Sequence, residues 1–210
     1  MTEVSHDTLR RLAFIRYLYL LAADQSHQPE PLSSASILGF HDSVELFLQL
    51  ASEQLNVGNP KPGFMDYWTL IDPKISSGEL AQRESMRRLN NARVSLKHHG
   101  TLPSASSIEG FRASTTNFFE DNTQVIFGLA FSEISMADLV TFEPALLTLK
   151  DAELRLAKKD YEGAICKIAI GFEQIADHTV QTFHERFGQT PFYFPRDFAF
   201  DRSFHRNKTL

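Results

Sequence analysis

Apolar residues recur at Ile37, Phe40, Val44, Phe47, Ala51 and Leu55, in steps of three and four. A helix turning once in about 3.6 residues gathers such positions into one stripe. A strand, whose side chains alternate with a period of two, would scatter them over both faces. The opposite side carries Asp42, Glu45, Gln49 and Glu53, so this segment has one dry and one wet face. Ser33 or Ser34 is the expected N-cap, and Gly58 with Pro60 the expected stop. The fold must therefore offer this stripe another apolar surface, and the rest of the chain supplies it as further helices.

Arg10-Arg11 followed by Leu12 to Ala23 has the outline of a signal peptide. Arg16 interrupts the apolar run, Glu3 and Asp7 dilute the basic flank, and the stretch is shorter than the roughly 20 apolar residues that span a bilayer. It is expected to be a first, well-buried helix, with no membrane involved. The prolines and glycine of 59–63 predict a turn, and Phe64 to Ile71 a short helical piece covering the core. Glu79 to His99 predicts a long helix stopped by Gly100 and Pro103. Ser106-Ser107-Ile108-Glu109 has the form of a capping box, and the stripe Ile108, Phe111, Thr115, Phe118, Asn122, Val125 continues from it. Pro144 suits the first turn of another helix, and Asp160 the cap between a pair of antiparallel helices, about 144–158 and 161–186.

The expected fold class is all-α, an up-and-down helical bundle over 1–128. Residues 129–210 then hold a helical hairpin (about 144–186) and an irregular aromatic tail from Gly188 onward. The tail interleaves Phe192, Tyr193, Phe194, Phe198, Phe200 and Phe204 with Arg196, Arg202, Arg206 and Lys208. It is expected to lay its rings on the body rather than to strap a nucleic acid. Its ending, His205 to Leu210, lacks an obvious closing element, which leaves open that the sequence is a piece of a longer protein. With 18 Phe against 5 Tyr and 1 Trp, large apolar rings are expected to lock the helices together. Phe40, Val44, Phe47, Leu89, Leu96, Phe111 and Phe118 are the expected core.

A net charge of -5 argues against a protein that coats nucleic acid or anionic membrane. The one cysteine, Cys166, rules out an intrachain disulfide and cysteine-cluster metal sites, which fits a cytoplasmic location. Cys166 is expected to be a small buried hydrophobe rather than a nucleophile. No phosphate-binding Gly-rich loop, zinc-binding His-Glu-x-x-His or nucleophile elbow is present. His41 and Glu45 are the nearest pair of metal-ligating residues. A buried polar contact is their expected role, with no metal and no cofactor.

Against that acidic background, Arg83 to Gly100 holds five cations, Arg83, Arg87, Arg88, Arg93 and Lys97, and one anion, Glu84. A solvated face accounts for most of them. Arg93 differs, because it falls on the apolar stripe between Leu89 and Leu96 and must find a partner there. Glu45, Asp42 or a bound phosphate are the candidates.

Leu89-Asn90-Asn91-Ala92-Arg93 followed by Lys97-His98-His99-Gly100 resembles the signature of HEPN domains (higher eukaryotes and prokaryotes nucleotide-binding). These are helical bundles marked by Arg, four to six residues, then His, near the end of a late helix. His98 stands at the four-residue spacing and His99 at five. Phe40 to Leu48 also resembles the acidic second helix of many members, and the likeness covers roughly residues 6–127. It implies a HEPN-like bundle with Arg93, His98 and His99 as catalytic residues and Asn90, Lys97, Glu45 and Asp42 supporting them. Arg87 and Arg88 would contact RNA. Cleaving RNA through its own 2′-hydroxyl needs a proton acceptor, which His supplies, and a cation on the phosphorus oxygens, which Arg supplies.

Two functions follow from the resemblance. One is a metal-independent endoribonuclease of a defence or toxin-type system, with RNA as substrate and an antitoxin as partner. The other is a catalytically silent helical module that binds a partner protein or a nucleotide, in which the two histidines only cap a helix. Arg93 and His98 lie about 140° apart on a regular helix. A homodimer that sets the Arg93 of one chain beside the His98 of the other is therefore expected.

Overall fold

The computed structural model describes residues 4–57, 62–75 and 78–191. Among them are seven α-helices and no strand: α1 (His6–Ser26), α2 (Ser36–Gln54), α3 (Asp66–Ile71), α4 (Arg83–His99), α5 (Ala105–Phe127), α6 (Glu143–Ala157) and α7 (Tyr161–Phe187). The chain divides into two compact units, Met1–Leu139 and Val140–Leu210. The turn over 59–63 lies largely, and the aromatic tail from 192 wholly, outside the described residues.

In the first unit α2 is the centre, packed against α1, α3, α4 and α5. Its stripe is covered as the spacing predicts: Ile37, Phe40, Val44, Phe47 and Ala51 are fully buried. The α1–α2 crossing is close because Gly39 has no side chain. A Cβ there would sit 2.9 Å from Ala22 Cβ. Helix α3 closes the core with Trp68 and Ile71, both fully buried. Rings from α2 and α5 meet edge to face, with Phe47 5.3 Å from Phe118 and 5.6 Å from both Phe119 and Phe127. Leu89 is fully buried too, whereas Leu96 and Phe111 are only half-buried.

Several local expectations are corrected. Ser33 and Ser34 do not cap α2. They lie buried in a 3-10 turn (Leu32–Ala35) that runs straight into it, and Ser36 Oγ donates to the Ser33 carbonyl at 2.7 Å. The cap of α5 is Ser104, whose Oγ accepts from the Ser107 amide at 3.3 Å. Glu109, two residues past the capping-box position that Ser104 sets, pairs with Arg112 instead. Val125 is exposed, since a stripe advancing 3.4 residues at a time drifts around a 3.6-residue helix. Phe119, Thr123 and Phe127 take over the core face.

Helix α1 is not buried all round. Leu12 and Ile15 are covered, but Phe14, Tyr17, Leu20 and Leu21 are exposed, because the helix packs by one side only. Arg16, which broke the apolar run, donates to the Ile134 carbonyl. Arg11 grips both carboxylate oxygens of Glu53 on α2, one arm at 2.9 Å.

That hydrogen-bonded fork holds the Glu53 carboxyl below its ordinary 4.5, with the charge of Arg11 adding to it. The folded chain therefore binds this proton later than the unfolded chain as pH falls. The contribution is complete above the ordinary value and is lost as pH drops from there through the depressed one. Exposure of both groups keeps it small. Wild-type protein is expected to melt slightly above Glu53→Gln at pH 7, the gap closing toward pH 3. A gap that persists in acid would contradict this.

The second unit is the expected hairpin. Pro144 sits in the first turn of α6, and Asp160 caps α7 by accepting from the Gly163 amide at 3.0 Å. Arg155 bridges Asp160 and Asp151, and Lys167 reaches Asp151 at 2.9 Å. Cys166 is exposed, against expectation. Two helices shield only one stripe of each other, and Ala164 and Gly171 occupy that of α7 while Ile165 and Ile168 stay outside with Cys166. No helix among the described residues is long and apolar enough to cross a membrane.

Candidate functional site on α2 and α4

Helix α4 is unbroken from Arg83 to His99, and Gly100, with φ +65°, terminates it by returning its amide to the Leu96 carbonyl. A left-handed residue at this position favours glycine. The last turn carries Lys97, His98 and His99, all exposed, where cations suit the negative end of the helix. Arg87 and Arg88 are exposed as well. Arg87 pairs with Glu84 at 3.2 Å, and Arg88 donates to Ser85 Oγ at 3.2 Å.

Of the predicted residues, the structure brings together those on the α2–α4 seam. Asn90, half-buried, accepts at Oδ1 from Nε2 of His41 at 3.0 Å. His41 is 2% exposed, and Phe64 stacks on its ring with centroids 4.3 Å apart. Its other nitrogen, Nδ1, faces Asp42 Oδ1 at 3.5 Å and Glu45 Oε2 at 3.8 Å. Burial pushes this imidazole below its ordinary range, against the pull of Glu45, Asn90 and Asp42 and aided by the charge of Arg93. At neutral pH it is uncharged.

Arg93 projects beside this cluster, half-buried. Its Nε is shut away from solvent without a hydrogen-bond partner, and it forms no ion pair with a described residue. Asp42 and Glu45, its two candidate partners, form no ion pair with it and lie beside His41 Nδ1 instead. A guanidinium held like this offers several donors to an incoming anion, and a phosphate fits its planar fork. His98 is not beside it. The regular course of α4 leaves the two about 140° apart around the axis.

Asn90, Asp42, Glu45 and Arg93 are expected site residues from the sequence, whereas His41 is expected only to make a polar contact. The signal in the sequence is the His41–Glu45 pair at i and i+4 on one helix face, with Asp42 next to His41. Comparison of the chain with known protein families, curated proteins and solved structures returns no match.

Proposed function

We propose that this chain is a HEPN-like endoribonuclease that cleaves RNA without a metal ion. Arg93 grips the scissile phosphate, and His98 of a second copy handles the proton. The observation that carries the reading is the half-buried Arg93 guanidinium with an unpartnered Nε and no ion pair to Asp42 or Glu45. An arginine kept from its carboxylates is suited to an external anion. In the reaction the 2′-hydroxyl loses its proton to an imidazole and its oxygen attacks phosphorus. The bond to the 5′-oxygen breaks, leaving a 2′,3′-cyclic phosphate and, after protonation, a 5′-hydroxyl. Arg93 neutralises the added charge on the phosphoryl oxygens, a contribution on the order of a hundredfold or more in rate for one well-placed donor.

The test is incubation of RNA with the protein in excess EDTA. Cleavage that yields cyclic phosphate ends and falls by about a hundredfold or more in Arg93→Ala is the expected result. RNA left intact by well-folded protein would favour the silent binding module. Activity lost to EDTA and restored by magnesium would point to a different mechanism.

A further inference from the structure

We propose that His41, Asp42 and Glu45 form a binding site for a divalent transition-metal ion, zinc being the ion its donors suit best. This goes beyond the expectation that the His41–Glu45 pair is a polar contact alone.

The ring proton decides the matter. A neutral imidazole carries one N–H, and Nε2 lies 3.0 Å from Asn90 Oδ1, an oxygen that can only accept. Nε2 must therefore be the donor, and Nδ1 is left as a bare lone pair. Nδ1 is buried, has no hydrogen-bond partner and lies 3.5 and 3.8 Å from two carboxylate oxygens. Three donor atoms thus lie together with no hydrogen bond between them and the imidazole nitrogen. An ion placed among them would bond to each.

The dimensions fit. The three donor atoms lie within 4.8 Å of one another. Zinc bonds of about 2.0–2.2 Å in tetrahedral geometry set donors roughly 3.3–3.6 Å apart, so small rotations of Asp42 and Glu45 close the site. Both are free to make them, their side chains being 59% and 38% exposed. His41 is held for the purpose, its plane by Phe64 and its tautomer by Asn90, as outer partners hold metal-binding histidines generally. One imidazole and two carboxylates favour zinc over calcium or magnesium, which prefer an all-oxygen shell. Two carboxylates also outweigh the single positive charge of Arg93 nearby. Three protein ligands leave a fourth position open toward solvent.

The experiment titrates zinc into full-length, EDTA-stripped protein against a chromophoric chelator. About one ion per chain, bound at micromolar concentration or tighter, is expected. The Asp42→Asn/Glu45→Gln double variant should lose at least a hundredfold in affinity. Both side chains are exposed enough that the fold should survive, which circular dichroism checks. Asn90→Ala should bind about 10–100-fold more weakly, through loss of the outer contact. His98→Gln/His99→Gln should bind as wild type does. No binding below about 100 μM zinc, or binding that survives the double carboxylate change, overturns the site. RNA cleavage in EDTA does not bear on it, so this proposal and the nuclease reading fail separately.

Discussion

Mixing Arg93→Ala protein with His98→Ala protein is expected to restore about a quarter of wild-type RNA cleavage, although each variant alone is nearly inactive. Within one chain, α4 is a regular helix through both positions, so Arg93 and His98 point about 140° apart. A two-fold axis removes the conflict by setting the arginine of one copy beside the histidine of the other. In a mixed dimer, one composite site then lacks both residues and the other retains both. Equal mixing makes about half the dimers mixed, each with one of two sites intact, which gives the quarter.

If each chain carried its own complete site, every chain in the mixture would lack a required group, and activity would stay at the level of the single variants. The subunits must exchange during the assay, which co-expression of the two variants under different affinity tags guarantees. Purified mixed dimers without activity, from variants that fold and dimerise, would end the composite-site idea. His99→Ala in place of His98→Ala is the internal control. His99 lies on the other side of the helix, about 120° from Arg93, so if His98 is the reacting partner, His99→Ala should leave more activity by itself.

The architecture was legible where apolar residues kept a helical period and a strong breaker followed. Helix α2, the α6–α7 hairpin and the end of α4 at Gly100 stand where the spacing puts them. Helix starts were less legible, because several polar residues in a row compete for one cap. Ser104 wins over Ser106 since it follows Pro103 with extended backbone, φ -70° and ψ 157°, and an N-cap requires that conformation. Burial was the least legible property. Phe14 and Ile165 are as apolar as the core, but which side of a helix is covered depends on how many neighbours it has. At the site, the anomaly of Arg93 on an apolar stripe could be seen in sequence. That Asp42 and Glu45 lie beside His41 Nδ1 could not, because the ring is held by Asn90 of α4 meeting Nε2.

Replacing Phe118 by alanine is expected to cost about 3–5 kcal/mol, the largest loss from any single substitution considered. Its ring is fully buried between three helices, with Phe47 at 5.3 Å, Phe119 at 5.4 Å and Trp68 at 6.0 Å. Removal forfeits the transfer of the ring from water and the edge-to-face contacts, each worth about 0.5–1.5 kcal/mol. The cavity cannot easily collapse, because the surrounding rings are stiff and hold one another in place. Domains of this size are stable by only about 5–15 kcal/mol, so the melting temperature should fall by roughly 10 °C or more. Trp68 is the only tryptophan in the chain and touches Phe118, so its fluorescence during urea unfolding follows this core directly. Phe14→Ala provides the contrast: Phe14 is equally large but 46% exposed, and its loss should cost well under half as much. Equal costs at the two positions, or a Phe118→Ala cost below about 1 kcal/mol, would mean that the aromatic cluster is not the centre of the fold.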